Sequence, residues 1–169
     1  MVEINNTTKQ KINLTQTRQV VEYFLATHRK TNWEVSVAIV GAVRMQHLNK
    51  KYRQIDKTTD VLSFRGGEAM NKFLGEIVIN MAETAKVSAY QEVFELMGQA
   101  GSARGAGAAR EVRIVQSKTT VHRYLFYFLL VHGLLHLIGY NDEVDKDRRR
   151  MIVLGHKFLE DFFKKSAII

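Results

Sequence analysis

The sequence predicts an α/β fold of the α+β kind: one compact domain with a small mixed sheet of about four strands around a buried central helix. Three observations lead to this prediction. Short valine-rich segments have the residue pattern of strands. Longer segments repeat apolar residues with the period of an amphipathic helix. One helical segment, 124–138, is apolar on almost every side, and a chain of 169 residues is long enough to bury it.

Three segments have the composition and length of strands. Each is rich in valine, isoleucine, leucine or phenylalanine, and the second is followed by the pair Gly66 and Gly67, which ends it. The predicted strands are 33–43, 59–64 and 73–79. A fourth segment, 111–116, alternates between polar and apolar residues and forms either a short strand or an extension of the helix that follows it.

Five segments have helical periodicity. Thr17 is the expected N-cap of the first, and Leu48 is expected to point inward in the second. In the third, the expected buried face includes Ala82, Ala85 and Val93. The predicted helices are 15–30, 45–52, 81–97, 124–138 and 145–165.

The segment 98–110 differs in composition from the rest of the chain. Four glycines among small residues predict a mobile loop that carries Arg104 and Arg110. The chain has no internal repeat and no linker long enough to separate domains. Residues 1–169 are therefore predicted to form a single domain.

Charge and cysteine content restrict the class of protein. The chain has 25 Lys and Arg against 17 Asp and Glu, and a basic protein attracts polyanions such as RNA or DNA. It has no cysteine, which excludes disulfides and thiolate metal sites. The N-terminal residues contain no apolar signal core, and 124–140 is too short for a membrane span. We therefore expect a soluble, cytoplasmic protein with no membrane partner.

The central apolar helix contains a pair of histidines suited to a metal ion. His132 and His136 are four positions apart, so they lie on the same helical face about one turn from each other. Gly139 can end the helix in a left-handed conformation and turn the chain back. This turn can bring Asp142 to the same ion. Two histidines and one carboxylate, with a coordination position left open, are typical of a hydrolytic metal site.

Three motifs in a consistent order resemble a known family. Segment 48–64 (L-N-K-K-Y-R-Q-I-D-K-T-T-D-V-L-S-F) is similar to the L-N-x-x-Y/F-R-x-x-D-x-P-T-D-V-L-S-F-P signature of the YbeY family, and 75–79 matches its next strand. Segment 132–140 (H-G-L-L-H-L-I-G-Y) is similar to its H-G-x-L-H-L-x-G-Y-D-H box. The resemblance implies a metal-dependent, single-strand-specific endoribonuclease. It also implies roles in maturation of the small-subunit rRNA 3′ end and in ribosome quality control, with rRNA and the small ribosomal subunit and its proteins as partners.

The resemblance also implies roles for individual residues. His132 and His136 match catalytic metal ligands, and Arg53 matches the family's functional arginine. A guanidinium can hold a phosphate through two parallel hydrogen bonds. The alternative interpretation of Arg53 is a surface ion pair with Asp56 or Asp60. A basic track for the RNA backbone is expected from the flanking residues Lys50, Lys51, Lys57 and Arg65.

The chain departs from the family pattern at the third ligand. The pattern places a histidine at position 142, where this chain has Asp142, and Thr58 and Arg65 replace two prolines. Carboxylate oxygen binds zinc, so we expect one divalent metal ion at this site, with zinc as the first choice. Iron(II), manganese and nickel are alternatives because Asp142 replaces an imidazole. Glu143 and Asp145 are alternatives to Asp142 as the third ligand.

Two other functions agree with parts of this pattern. Zincin-like metallopeptidases share the histidine spacing, but they carry a glutamate base after the first histidine, where this chain has Gly133. A non-catalytic ribosome-assembly factor is the second alternative. The cluster 148–150 binds RNA or forms a solvent-exposed helix face. Thr59 and Ser63 can hydrogen-bond to substrate or to a neighbouring loop.

Overall fold

The computed structural model describes residues 1–67, 72–86, 90–102 and 118–166. Its strands are β1 (Val2–Asn6), β2 (Glu34–Val40), β3 (Val61–Arg65) and β4 (Phe73–Asn80). Its helices are α1 (Leu14–Thr27), α2 (Ala42–Arg53), α3 (Gln91–Ser102), α4 (Lys118–Leu137) and α5 (Asp145–Ser166). A short 3₁₀ turn, Glu83–Ala85, follows β4.

The strands form one mixed sheet in the order β1-β2-β4-β3. β2 lies parallel to β1 and to β4, whereas β3 pairs antiparallel with β4 at the edge. The inner strands are buried on both faces, as their valine and isoleucine content requires. The predicted α/β fold with a small four-stranded mixed sheet is therefore confirmed.

Side chains from successive residues of the sheet enter two different cores. Ile77 and Ile79 point into the main core, which contains α1, α4 and α5. Val78 points the other way, into a smaller core with Met45 of α2. Because side chains alternate along a strand, α2 lies on the sheet face opposite to α4. The sheet thus separates α2 from the central helix.

The central helix α4 lies against the sheet more closely than a side chain would permit. A Cβ atom on Gly133 would stand 2.8 Å from Cγ2 of Ile77 and 3.2 Å from Oγ of Ser63. The helix is buried along most of its length, as predicted, with its largest fully buried side chains at Leu125, Tyr127, Leu129, Leu130, Leu134 and Leu137. Within the described residues, no helix has both the length and the apolarity that a membrane crossing requires.

Towards the N-terminus the structure differs from the sequence-based expectation at three points: the N-cap of α1, the strand β1 and the end of β2. The N-cap of α1 is Asn13, whose side chain accepts a hydrogen bond from the amide of Gln16 at 2.9 Å. Thr17 is instead buried in the helix, and its hydroxyl donates to the carbonyl of Asn13. β1 has no strand signal in the sequence, because it contains only two apolar residues. It owes its stability to pairing with β2, more than thirty residues away. The predicted strand 33–43 ends early, at Val40, and α2 begins at Ala42.

The predicted helix 81–97 is wrong in its first half. The side chain of Asn80 accepts a hydrogen bond from the amide of Ala82, which turns the chain into the 3₁₀ segment before α3 begins. Ala82 and Ala85 are exposed, and Thr84 is buried in their place. Val93 is buried as predicted.

The glycine-rich segment lies partly within α3. That helix continues to Ser102, so 98–102 is helical rather than a loop. Residues 103–110, with Arg104 and Arg110, lie outside the described residues, as does 111–116. The mobile loop and the additional strand or helix extension therefore stay predictions.

Candidate metal centre

The turn after α4 is built from backbone hydrogen bonds that a glycine permits. Gly139 has φ of +105°, and its amide donates to the carbonyl of His136 at 3.0 Å. The amide of Tyr140 donates to the carbonyl of Leu135 at 3.1 Å. These bonds satisfy the last carbonyls of the helix, as a left-handed glycine terminus does. The side chain of Asn141 then accepts from the amides that follow it and directs the chain into α5.

This turn brings together the three predicted ligands. Nε2 of His132 lies 3.2 Å from Nε2 of His136 and 3.2 Å from Oδ2 of Asp142. Nε2 of His136 lies 3.7 Å from Oδ1 of Asp142. Donor atoms about 2.05 Å from a tetrahedral zinc ion are about 3.3 Å apart, so these separations suit one ion. The donor set and its spacing therefore fit a divalent metal.

The alternatives for the third ligand lie elsewhere. Asp145 forms an ion pair with Arg148 at 2.8 Å, in the first turn of α5. Among the described residues, the metal-binding cluster contains Asp142 and neither Glu143 nor Asp145. Asp142 is thus the carboxylate that the geometry places beside both imidazoles.

The surroundings of the cluster favour the neutral form of His136 and the ionised form of Asp142. Nδ1 of His136 lies 3.0 Å from the carbonyl of Tyr140, to which it donates when Nε2 is unprotonated. Burial lowers the pKa of His136, and the neighbouring His132 adds to this effect. The hydrogen bond from His132 lowers the pKa of Asp142. A neutral imidazole and an ionised carboxylate are the forms that coordinate a metal.

Arg53 lies at the end of α2, within electrostatic reach of the cluster. Burial and the neighbouring His132 are the largest causes of the lowered pKa of His136, and the charge of Arg53 adds a smaller effect in the same direction. The two acidic residues offered as its alternative partners are engaged elsewhere: Asp56 binds Lys50 at 2.5 Å, and the carboxylate of Asp60 accepts from its own neighbours and from Tyr90. Arg53 is exposed and has no ion pair with any residue that the structure describes.

The four flanking basic residues have different surroundings. Lys50 is directed towards Asp56, and Nζ of Lys51 lies 5.1 Å from the ring centroid of Tyr52. The guanidinium of Arg65 lies beside the turn that follows α4, because both of its terminal nitrogens are 3.9 Å from where a Cβ of Gly139 would stand. Lys57 is exposed.

The arginine cluster on α5 makes intramolecular ion pairs. Arg148 lies 2.8 Å from Asp145 and 3.6 Å from Glu92 of α3, and Arg149 lies 3.6 Å from Glu92. These contacts join α5 to α3. Because both side chains form ion pairs within the protein, we do not assign Arg148 and Arg149 to RNA binding.

The Thr-Thr-Asp segment before β3 is held by hydrogen bonds within the protein. The side-chain amide of Asn80 donates to Thr58 and to the carbonyl of Thr59, and Tyr90 donates to Asp60 at 3.2 Å. Thr59 donates to Asp60. Of the two hydroxyl residues that the sequence offered for substrate binding, Ser63 faces α4, with its Oγ buried and without a partner among the described residues.

Two aromatic residues that the sequence analysis does not single out lie beside these arginines. The rings of Tyr52 and Phe64 are 5.0 Å apart, centroid to centroid, at the junction of α2 and β3. In the sequence they occupy the Y/F and F positions of the signature matched by segment 48–64, immediately before Arg53 and Arg65.

Comparisons with known proteins agree with the resemblance in the motifs. The family model described as "Endoribonuclease YbeY" matches residues 3–96 and 109–162. A protein of that name from a Nitratiruptor species is 40% identical over 147 residues, which cover 85% of this chain and 80% of the relative. One from Syntrophotalea carbinolica is 33% identical over 159 residues, which cover 89% and 88%. The solution structure of TM1509 from Thermotoga maritima has a TM-score of 0.56 at 23% identity, covers 99% of this chain and 92% of its own, and supports the fold.

Proposed function

The chain belongs to the YbeY family of endoribonucleases, and from this we propose that it cleaves single-stranded RNA by metal-dependent hydrolysis. The observation that supports the proposal most strongly is the meeting of three metal-binding donors in one cluster. The proposed biological substrate is rRNA, at the 3′ end of the small-subunit molecule, with a further role in ribosome quality control. The small ribosomal subunit and its proteins are the proposed partners, which agrees with a cytoplasmic location.

His132, His136 and Asp142 would hold one divalent ion. Such an ion is a Lewis acid that lowers the pKa of water towards about 7 and offsets the negative charge of a phosphodiester. Zinc is our first proposal because the donor separations suit a tetrahedral site, and iron(II), manganese and nickel also accept two imidazoles and a carboxylate. Tyr140 keeps the ring of His136 in the orientation and tautomer that the site needs.

Arg53 is proposed to bind the phosphate at the scissile bond. Its guanidinium has no competing acidic partner among the described residues and can donate two parallel hydrogen bonds to phosphate oxygens. These donors can also stabilise the charge that develops on the phosphate oxygens during attack. Lys50, Lys51, Lys57 and Arg65 are proposed to hold the flanking backbone, with Arg65 beside the turn at Gly139.

The structure argues physically against a peptidase. The position after His132 is Gly133, which lies directly against Ile77 of the sheet. A glutamate there would have no space for its Cβ, and its carboxylate would be directed into an apolar core rather than towards water. The general base that a zincin-type peptidase requires is therefore absent from this position for a structural reason.

The direct test uses the purified chain with a labelled single-stranded RNA and the same sequence in a duplex. We expect cleavage of the single strand, its loss in a chelator and its return when zinc is added back. Cleavage of casein that depends on His136 would instead favour the peptidase. Less than about a tenth of an equivalent of bound metal, with folding unaffected by the chelator, would favour the assembly factor.

Replacing Arg53 by alanine is expected to lower the rate of RNA cleavage by about 100-fold or more while bound metal stays unchanged, because one charge-stabilising donor group is lost. Rate and metal content are measured on the same sample. Arg53→Lys, which keeps the charge without the planar fork, is expected to recover part of the rate. Arg44→Ala is the matched control, because Arg44 is exposed on the opposite face of the same helix. Loss of metal from Arg53→Ala would show that this arginine acts structurally.

A further inference from the structure

An exposed aromatic pair lies at the junction of α2 and β3. Tyr52 is 55% exposed. It contacts Phe64 edge-on, at an interplanar angle of 62°. Its hydroxyl has no hydrogen bond to a residue that the structure describes. Phe64 thus supports the Tyr52 ring edge-on, Nζ of Lys51 lies 5.1 Å from its centroid, and much of the residue faces solvent.

This pair is continuous with the residues around the metal centre. Arg53 follows Tyr52 at the end of α2, and Arg65 follows Phe64 with its guanidinium beside Gly139, in the turn that leads to Asp142. Because side chains alternate along a strand, Phe64 points to the α2 side of the sheet and Arg65 to the α4 side. β3 is an edge strand, so both sides open onto the same border of the sheet. An extended ligand along that border would meet the aromatic pair, the two arginines and the metal-binding cluster.

We propose that Tyr52 and Phe64 form a stacking platform for an unpaired base of the RNA, close to the phosphodiester that is cleaved. The proposal rests on the proposed function and deepens it. It commits to a nucleobase because the aromatic pair is surrounded by cationic residues, Lys51 among them, which suit a polyanion and repel a cationic surface. Stacking of a base on an aromatic ring is largely independent of sequence, since every base has a flat face.

The platform also gives a physical reason for preferring single strands. A base in a duplex already stacks on its neighbours and pairs with its partner, so it reaches a protein ring only after both are disrupted. An unpaired base has no such cost. A stack contributes about 1–3 kcal/mol per base, which corresponds to at least about a fivefold change in affinity. Tyr52 would therefore position the substrate, whereas Arg53 and the metal-binding residues act on the phosphate.

The test measures binding of the zinc-loaded chain to a fluorescent phosphorothioate RNA, which resists cleavage. We expect Tyr52→Leu, which keeps apolar contact with Phe64 but lacks a ring, to weaken binding of the single strand about tenfold. Tyr52→Phe is expected to bind like the wild type, and none of the variants should bind the duplex less well. The matched control is Val43→Ala, since Val43 is 71% exposed on the same helix and lies outside the platform.

A second measurement does not depend on the variant folding well. Abasic nucleotides are placed one at a time along the RNA and tested with the wild-type chain. An abasic site at one position should weaken binding to the wild type by the factor seen for Tyr52→Leu. Binding of that abasic RNA to Tyr52→Leu should be no weaker than binding of the intact RNA to the same variant. Equal binding by Tyr52→Leu and the wild type, or an equal loss at every abasic position, would overturn the platform.

The platform and the proposed function fail in different ways. If the wild type cleaves single strands and Tyr52→Leu binds them equally well, the platform alone is wrong. If the wild type neither binds nor cleaves RNA, both proposals are wrong. If an apolar peptide binds at Tyr52 and does not compete with RNA, the surface is a protein-docking site and the platform is again overturned.

Discussion

His136→Ala is expected to remove the metal and to lower RNA cleavage by at least about 100-fold. Even the loss of a residue that only orients a ligand typically costs about 10–100-fold in metal affinity or activity, and here a donor atom itself is lost. His136 is also the ligand whose ring the carbonyl of Tyr140 orients. Bound zinc is measured by elemental analysis and cleavage with a labelled single strand. His47→Ala is the matched control, because His47 is exposed on α2 and has no part in the cluster.

Substitutions at Asp142 test the third ligand separately. Asp142→Ala should lose metal as His136→Ala does, since Asp142 supplies the only carboxylate of the cluster among the described residues. Asp142→His, which restores the histidine of the family pattern, should retain metal and activity and favour zinc more strongly. Asp145→Ala should keep the metal, because Asp145 pairs with Arg148. Full metal and wild-type activity in Asp142→Ala would exclude Asp142 and direct attention to Glu143.

Gly75→Ala is expected to lower the free energy of unfolding by more than about 3 kcal/mol. Gly75 has φ of +146°, a conformation that costs a residue with a side chain about 1–3 kcal/mol. Its Cβ would also stand 2.2 Å from the carbonyl oxygen of Phe64, a backbone atom of the neighbouring strand. Relieving that contact requires β3 to move away from β4, with loss of their pairing. The measurement is equilibrium unfolding in urea.

Gly67→Ala is the control for Gly75→Ala. A Cβ at Gly67 would meet no atom of the described residues within 4 Å, so its effect should stay within about 0.5 kcal/mol. Gly75 is also linked to the metal centre, because its Cβ would stand 2.8 Å from the side chain of Leu137, the last residue of α4. We therefore expect Gly75→Ala to bind metal more weakly as well. Similar stability of the two variants would show that β3 can shift freely at this point.

The elements whose residue pattern is local could be predicted from the sequence. The valine-rich period of β2 and the apolar run of α4 reflect which side chains each element must bury, so both were predictable. The elements that are stabilised by distant residues could not be predicted from the sequence. β1 has little apolar content and depends on β2, and the helix predicted from 81 is interrupted because Asn80 caps a turn.

The sequence by itself determined the pair His132 and His136, because residues four apart in a helix share a face whatever the rest of the fold does. It also indicated Arg53 and a turn at Gly139. Only the tertiary structure distinguished Asp142 from its acidic neighbours, brought Arg65 beside the turn at Gly139 and paired the ring of Tyr52 with that of Phe64. The physical reason is that these separations depend on how closely α4 and β3 approach β4, and that approach is set by long-range packing rather than by local spacing.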